Sequence, residues 1–377
     1  MSFRRLWAVA RKEFLHVLRD YRSLGMAIAL PMLMLVLFGF ALTLDVDKVP
    51  LVVWDQSQTR ASRDLISQFQ GSRYFSLIEY VWDYDAIEEA IDRRAARAAL
   101  IVPREFAQHL HAGRTTAVQW IVDGSDSNTA TLVIGYAESV VQGYSQRVTL
   151  EEMQRRGMAG VQAPLEVRAR VWFNEDLKSR NFIIPGLIAV IMMVIAALLT
   201  SLTVAREWEQ GTMEQLISTP VKRPELILGK LLPYFAIGLF DVFLAVLMGE
   251  FVFRVPLRGS VGLLFGMSCI FLVGVLSMGI LISVVTKSQL VASQMAIVLT
   301  YLPAFLLSGF MIPIANMPGP IQGVTYLVPA RYFVAMLKEI YLKGVGLSVL
   351  WPEVLLLAVF SLVMVVLANV RFQKKLG

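Results

Sequence analysis

The residues worth asking about first are the ionisable ones placed where water is scarce. Asp241 lies inside KLLPYFAIGLFDVFLAVLMGEFVF, an otherwise apolar run. A carboxylate at the centre of a bilayer-length segment costs about 2.5–3.5 kcal/mol to insert and usually faces a bundle interior or a cavity. It could line a substrate path, titrate, or hold a neighbouring helix through a hydrogen bond. Glu250, near the end of the same run, reads as interfacial. His109 and His111 are two apart, which on a helix points them away from each other, and zinc would need a further ligand. Cys269 is the one cysteine of the chain, so no intrachain disulfide can form. The nearest approach to a nucleotide-binding P-loop is PELILGK, where Pro224 stands in place of the first glycine, so no P-loop is present. Neither G-x-S-x-G nor H-E-x-x-H occurs.

A different chemistry is written in residues 206–230, REWEQGTMEQLISTPVKRPELILGK, which separate two long apolar runs. Thr212 and Gln215 have capping-box spacing, so a helix is expected to start near Met213. Met213, Leu216 and Ile217 then share one face. Pro220 ends that helix, and Pro224 followed by Glu225 suits the first turn of the next. A short amphipathic helix with a membrane segment on each side can pass force between a partner and those segments. The plainer reading is a helix resting on lipid headgroups.

Stepping outward, 56% of the 377 residues are hydrophobic, only 17% are charged, and the mean hydropathy is +0.61. Soluble domains carry roughly a quarter charged residues, so these values specify a membrane protein. Residues 1–24 open as a basic amphipathic helix over 3–22. Phe3, Leu6, Trp7, Ala10, Phe14, Val17, Leu18 and Tyr21 lie on one side, and Arg4, Arg5, Arg11, Lys12, His16, Arg19 and Arg22 on the other. Residues 25–44 form a first span interrupted by Pro31. Residues 45–180 are charge-dense. Strands are expected at Val49–Trp54, Phe75–Val81, Ala98–Val102, Val118–Val122 and Val167–Phe173. Helices are expected at Thr59–Phe69, Tyr84–Arg94, Arg104–Ala112 and Asp126–Arg156, with a loop at Gly157–Pro164; this is the pattern of a compact α/β domain. Residues 181–377 carry five further apolar runs, Ile183–Thr203, Leu232–Phe253, Val261–Val285, Val291–Ile312 and Val354–Val370. In the segment 313–351, Tyr326, Tyr332, Phe333, Tyr341 and Trp351 are placed for an aromatic belt, and Ala330–Lys343 for a short helix near the outer surface.

The expected fold is therefore an α-helical polytopic membrane protein of six spans with an inserted extracytoplasmic α/β domain. Basic and acidic residues number six and two over 1–44, sixteen and nineteen over 45–180, and thirteen and eight over 181–377. The positive excess sits with the spans, which indicates membrane orientation rather than nucleic acid. It clusters before the first span, in the 206–230 loop, at Lys287 and at the C-terminal end, so both termini are expected inside.

The loop motif also resembles that of ABC type-2 transporter permeases, E-x-E-x-G-T-x-E-x-L followed by S-T-P, a basic pair and L-x-x-G-K. Here these are Glu207, Glu209, Gly211, Thr212, Glu214, Leu216, Ser218 to Pro220, Lys222 with Arg223, and Gly229-Lys230. ARKEFLHVLRDYRSL is similar to the family's opening interfacial helix, and LLSGFMIPIANMPGPIQ to its outer re-entrant turn. The layout resembles the bacterial inner-membrane exporters with a large domain after the first span. The resemblance implies that the loop, with Met213, Ile217 and Pro220 included, contacts a separate ATPase subunit. ATP and Mg would then bind that partner, and no cofactor would bind this chain. It implies a homodimer or a heterodimer with a sister permease, a periplasmic adaptor and outer-membrane channel as further partners, and drug-like or hydrophobic cargo. It also places Thr200, Ser201 and Thr203 of the second span and Gln294, Thr300 and Ser308 of the fifth at a dimer interface, with ordinary helix packing as the alternative; Thr200, Ser201, Gln294, Thr300 and Ser308, together with Asp241 on the ground of its insertion cost, are the candidates for the translocation path. Two other classes fit the residues: a proton-coupled secondary transporter using Asp241, and a receptor whose outer domain senses a ligand. Co-purification of an ATPase separates the first reading from both.

The topology is tested by single cysteines at Ser57 and Ser218 in a chain with Cys269 replaced by alanine. An impermeant thiol reagent is expected to label them from opposite sides of the membrane, and labelling of both from one side would refute the arrangement.

Overall fold

A computed structural model describes residues 2–42, 48–155, 173 and 178–372. The chain divides into two compact units, Leu44–Arg170 and the combination of Met1–Thr43 with Val171–Gly377.

In the Leu44–Arg170 unit, β-branched runs form β1 (Val49–Asp55), β2 (Phe75–Tyr80), β3 (Ala98–Val102) and β4 (Gln119–Val122). Their order is β2-β1-β3-β4; β1 is parallel to β2 and β3, and β4 is antiparallel to β3. The alternation of β1 settles its two faces. Val49, Leu51 and Val53 pack with Leu65, Ile66 and Phe69 of α3 (Arg60–Gly71) and with Val133, Ala137 and Tyr144. The last three belong to α6 (Ser127–Arg155). Val52 instead packs with Ile87 and Ala90 of α4 (Tyr84–Asp92). A shorter helix, α5 (Phe106–His111), adds Phe106 to the first core. Helix α3 starts where it does because Thr59 and Ser62 form a reciprocal capping box. Asp55 reinforces the turn by accepting from Ser57 N, Gln58 N and Ser62 Oγ. The expected loop at 157–164 lies outside the described residues, as does the expected last strand except for Phe173.

In the second unit the boundary between the expected amphipathic helix and the expected first span falls at Asp20. Helix α1 (Phe3–Arg19) stops at Asp20 and α2 (Tyr21–Ala41) follows. Helices α7 (Arg180–Glu209), α9 (Arg223–Phe251), α10 (Val261–Thr286), α11 (Gln289–Leu307) and α14 (Leu347–Arg371) are each long and apolar enough to cross a bilayer. Between them lie α8 (Thr212–Ser218), α12 (Gly319–Thr325) and α13 (Pro329–Lys343). Helix α7 is the centre: 83% of its most apolar window is buried, against 22% for α11 and 17% for α14. Helices α9, α10, α11 and α13 all pack on it. Its contact with α11 is made through small residues, Ala292, Ala296, Thr300 and Ala304, which recur every fourth position and are buried. Its contact with α10 is closer still. A Cβ on Gly279 would stand 2.5 Å from the Ala197 carbonyl oxygen and collide with the Thr200 hydroxyl. One turn further along α10, Ser283 Oγ accepts hydrogen bonds from the backbone N–H of both Val204 (3.0 Å) and Ala205 (2.8 Å) of α7.

Three sequence expectations are corrected here. The run Val291–Ile312 is not one helix: α11 ends at Leu307, where Ser308 Oγ accepts from Phe310 N and Gly309 takes a left-handed φ of 78°. Tyr332, Phe333 and Tyr341 do not form an interfacial belt. Helix α13 is packed against α7, α10 and α14, all three rings are buried, and Phe333 stacks on Phe271 at 4.1 Å. Only Tyr326 and Trp351 of the five stay exposed. The last span is longer than its apolar core, reaching from Leu347 through Pro352 to Arg371.

The α7–α10 crossing gives a paired test. Gly279→Ala is expected to destabilise by about 1–3 kcal/mol through overpacking. Gly266→Ala, on the same helix but facing open space, is expected to cost nothing. Equal thermal midpoints for both variants in detergent would show that the crossing is not close.

Candidate functional site

The segment joining α7 to α9 carries a cluster of paired charges at its ends. Four charges close a ring there. Lys230 Nζ donates to Glu13 Oε1 at 2.8 Å and lies 2.9 Å from Glu207 Oε2. Lys12 Nζ donates to Glu207 Oε1 at 2.9 Å and lies 3.8 Å from Glu13 Oε1. The side chains of Lys230, Glu13 and Glu207 are 2%, 6% and 8% exposed, whereas Lys12 is open to one side. Burial lowers the Lys12 pKa, but the hydrogen bond and charge of Glu207, then the charge of Glu13, outweigh it and hold the ammonium above its ordinary range. Two positive and two negative charges cancel, which is the condition for burying them at all.

The ring joins three elements distant in sequence, and the local sequence sets each one. Glu207 sits in the last turn of α7, where the helix dipole disfavours an anion and nearby lysines offset it. Lys230 comes two turns into α9, one residue after Gly229. A Cβ on Gly229 would stand 2.8 Å from Val9 Cβ and 3.2 Å from the Leu6 carbonyl oxygen, so glycine is what lets α1 cross α9 closely enough for Glu13 to reach Lys230. Glu225 Oε2 accepts from Lys222 N at 2.9 Å, capping the start of α9, while its Oε1 accepts from Ser2 N at 2.6 Å. Arg5 Nη1 donates to the Pro220 carbonyl at 2.6 Å. One face of α1 thus grips α9 and the linker before it. Val9, Ala10 and Val17 of that face are buried, whereas Phe3, Trp7, Phe14 and Leu18 remain exposed. The single apolar stripe expected for this helix is therefore divided between protein and surroundings.

The other side of the α7 terminus is held by the α10–α11 turn. Glu209 accepts from Gln289 N at 2.8 Å and from Gln289 Nε2 at 2.6 Å. Arg206 Nε donates to Gln289 Oε1, and Arg206 Nη1 lies 3.3 Å from His16 Nε2. Lys287, in a left-handed conformation, places its ammonium 4.7 Å from the centre of the Trp208 ring. Helix α7 ends at Glu209, and Gly211 just beyond it takes a φ of 69°, which glycine adopts without the cost a Cβ imposes. Thr212 is the first residue of α8 rather than its cap, and its hydroxyl donates to the Glu207 carbonyl instead of accepting from Gln215. Met213 is buried in the unit's own core, while Gln215, Ser218 and Pro220 are exposed. The side chains of Glu214, Leu216 and Ile217 lie outside the described residues. A cavity of about 460 Å³ lies beneath α8, bounded by the ring and by Thr203, Gln210, Thr212 and Tyr234.

Of the loop residues singled out from sequence, Glu207 and Met213 thus face inward, whereas Glu209 is exposed and ties the end of α7 to Gln289. Of the path candidates, Thr200, Ser201, Thr300 and Ser308 are buried within the single chain. The hydroxyls of the first three donate to carbonyls of their own helices, and Thr200 and Thr300 sit at the α10 and α11 contacts with α7. Gln294 alone of that set is exposed. Asp241 is 2% exposed inside α9, and its Oδ1 has no hydrogen-bond partner among the described residues. Sequence reasoning missed Glu13 and Lys12. The signal available was an acid, Glu13, on the helix face otherwise filled by Val9, Ala10 and Val17.

A bundle of membrane-length apolar helices with a braced polar loop at one end is the architecture of a polytopic membrane protein. The chain belongs to the ABC-2 family of transporter proteins, which it matches over residues 21–370. It is 38% identical to the probable multidrug ABC transporter permease YbhS of Escherichia coli, over 100% of this chain and 98% of that protein. It is 30% identical to the probable multidrug ABC transporter permease YbhR, over 99% of each, and 26% identical to the inner membrane transport permease YhhJ, over 92% and 93%, both also from Escherichia coli. It is a permease subunit of an ABC exporter.

Removing Lys230 takes away the close partner of buried Glu13, which keeps only a 3.8 Å contact to Lys12, and one of the two partners of Glu207. Lys230→Met is expected to destabilise the chain by about 3–5 kcal/mol, with Glu13→Leu added in the same chain restoring a large part of it. Thermal unfolding of the purified variants checks this; equal midpoints for wild type and Lys230→Met would mean the ring is not a structural bond.

Proposed function

We propose that α8 is the element through which a separate ATPase subunit drives this permease. One observation supports this above others. Met213 anchors α8 in the core, and the helices on both sides of it are tied to α1 through the charge ring, so α8, the ends of α7 and α9, and α1 resist separate displacement. A push on the exposed Gln215 and Ser218 is then delivered to two membrane helices together. This chain binds no ATP; ATP and Mg are held by the partner.

On this reading the membrane is crossed six times. The 21 residues of α2 reach about 31 Å, enough for the sixth span beside α7, α9, α10, α11 and α14. Both termini and α8 are cytoplasmic, and the Leu44–Arg170 unit is outside, the surface offered to a periplasmic adaptor and outer-membrane channel. Two permease chains, alike or sister, work as a pair. The relatives named multidrug permeases support drug-like or hydrophobic cargo, and the relative named an inner membrane permease supports the cytoplasmic membrane as the location.

Leu216→Arg tests the coupling role, because the amphipathic pattern of α8 places Leu216 on its apolar side. The variant is expected to insert and fold but to bind the ATPase subunit more weakly, or to hydrolyse ATP without transport. Pull-down of the ATPase and transport in reconstituted vesicles are the measurements. Unchanged binding, hydrolysis and transport would show that α8 is not the coupling element.

A further inference from the structure

Much of the side of α1 turned away from the charge ring is exposed among the described residues, and its side chains fall into distinct rows. Going round the helix, the exposed apolar row of Phe3, Trp7, Phe14 and Leu18 comes first. A basic row of Arg4, Arg11 and Arg19 follows, then Lys12 and His16, and then the row packed on α9. Arg4, Arg11 and Arg19 make no hydrogen bond or ion pair among the described residues. With Trp7, Ala8, Lys12, Leu15 and His16 they line an open groove of about 580 Å³ along the face of α1 itself, and none of its lining residues is acidic. Guanidinium groups are the side chains best matched to phosphate oxygens, and three of them aligned along four turns would repel one another without an anion.

We propose that this groove binds the phosphate headgroups of anionic phospholipids. The occupant follows from the neighbouring row. Four large exposed apolar side chains border the basic ones, so the ligand must offer phosphate to one row and hydrocarbon to the next, which a membrane lipid does and a soluble anion does not. Lys12 and His16 line both this groove and the cavity beneath α8. A phosphate in the groove therefore shares the Lys12 ammonium with Glu207, and lipid occupancy bears on the charge ring directly. The proposal stands whether or not α8 is the coupling element.

The test is native mass spectrometry of the purified full chain with phosphatidylglycerol or phosphatidylcholine added at equal concentration. Wild type is expected to retain phosphatidylglycerol preferentially, with a preference that falls as salt is raised. Each of Arg4→Gln, Arg11→Gln and Arg19→Gln is expected to weaken phosphatidylglycerol retention by about fivefold at low salt, and the triple variant to abolish the preference. Inorganic phosphate is expected not to displace the lipid. Equal retention of the two lipids by wild type, or an undiminished preference in the triple variant, would overturn the proposal. If the triple variant cannot be purified, the single variants decide, and no change in any of them overturns it. Displacement by inorganic phosphate at comparable concentration would mean a site for free anions and not for lipid.

Discussion

Charges can be buried only if they cancel and are held close, and that constraint organises the working end of this permease. Lys12, Glu13, Glu207 and Lys230 satisfy it by drawing α1 onto two helices whose ring residues lie about two hundred positions further along the chain. Everything else at that end follows from the meeting. Gly229 must lack a side chain for α1 to come close enough, and Glu225 can then bind the chain's first residues while capping its own helix. The α7 terminus, fixed on one side by the ring, is fixed on the other by Gln289. A seven-residue helix, far too short to be stable alone, is thereby given a defined place.

This arrangement changes the meaning of the loop motif. Acidic residues in a polar loop invite the idea that they wait for a basic partner. Glu207 and Glu209 are already engaged, the first by two lysines and the second by the backbone and side chain of Gln289. The basic end of the motif is engaged as well, since Lys230 is the most deeply buried member of the ring. The motif as a whole specifies a bracket, and what the bracket presents is the outer side of α8.

The elements themselves were largely legible from sequence. Strands β1 and β3 follow from β-branched runs, and the helical segments from their spacing and their proline and glycine punctuation. What could not be read was pairing. Nothing in a linear pattern links Glu13 to Lys230, and a buried acid on a basic helix looks like any other charge until its partner is in place. The aromatic residues of α13 misled for a related reason: Tyr332, Phe333 and Tyr341 have the amphipathic character of membrane-interface residues, and only the packing of α13 on α7, α10 and α14 makes them core. The end of α11 depended on a hydroxyl and one left-handed glycine, signals too local to outweigh an apolar run that continues to Ile312.

Helix α7 is surrounded almost entirely by helices that follow it in the chain, so during synthesis it enters the membrane before α9, α10, α11 and α13 exist to cover it. A helix bound for a polar interior would then expose unsatisfied groups to hydrocarbon. In α7 the hydroxyls of Thr200, Ser201 and Thr203 are each satisfied by a carbonyl of the same helix. It carries its own hydrogen bonding into the bilayer and can wait there as an apolar rod. The exchanges of Val204 and Ala205 with Ser283 use backbone donors near its terminus and become available once α10 arrives. The order of biogenesis is in this way compatible with a buried central helix that is inserted first.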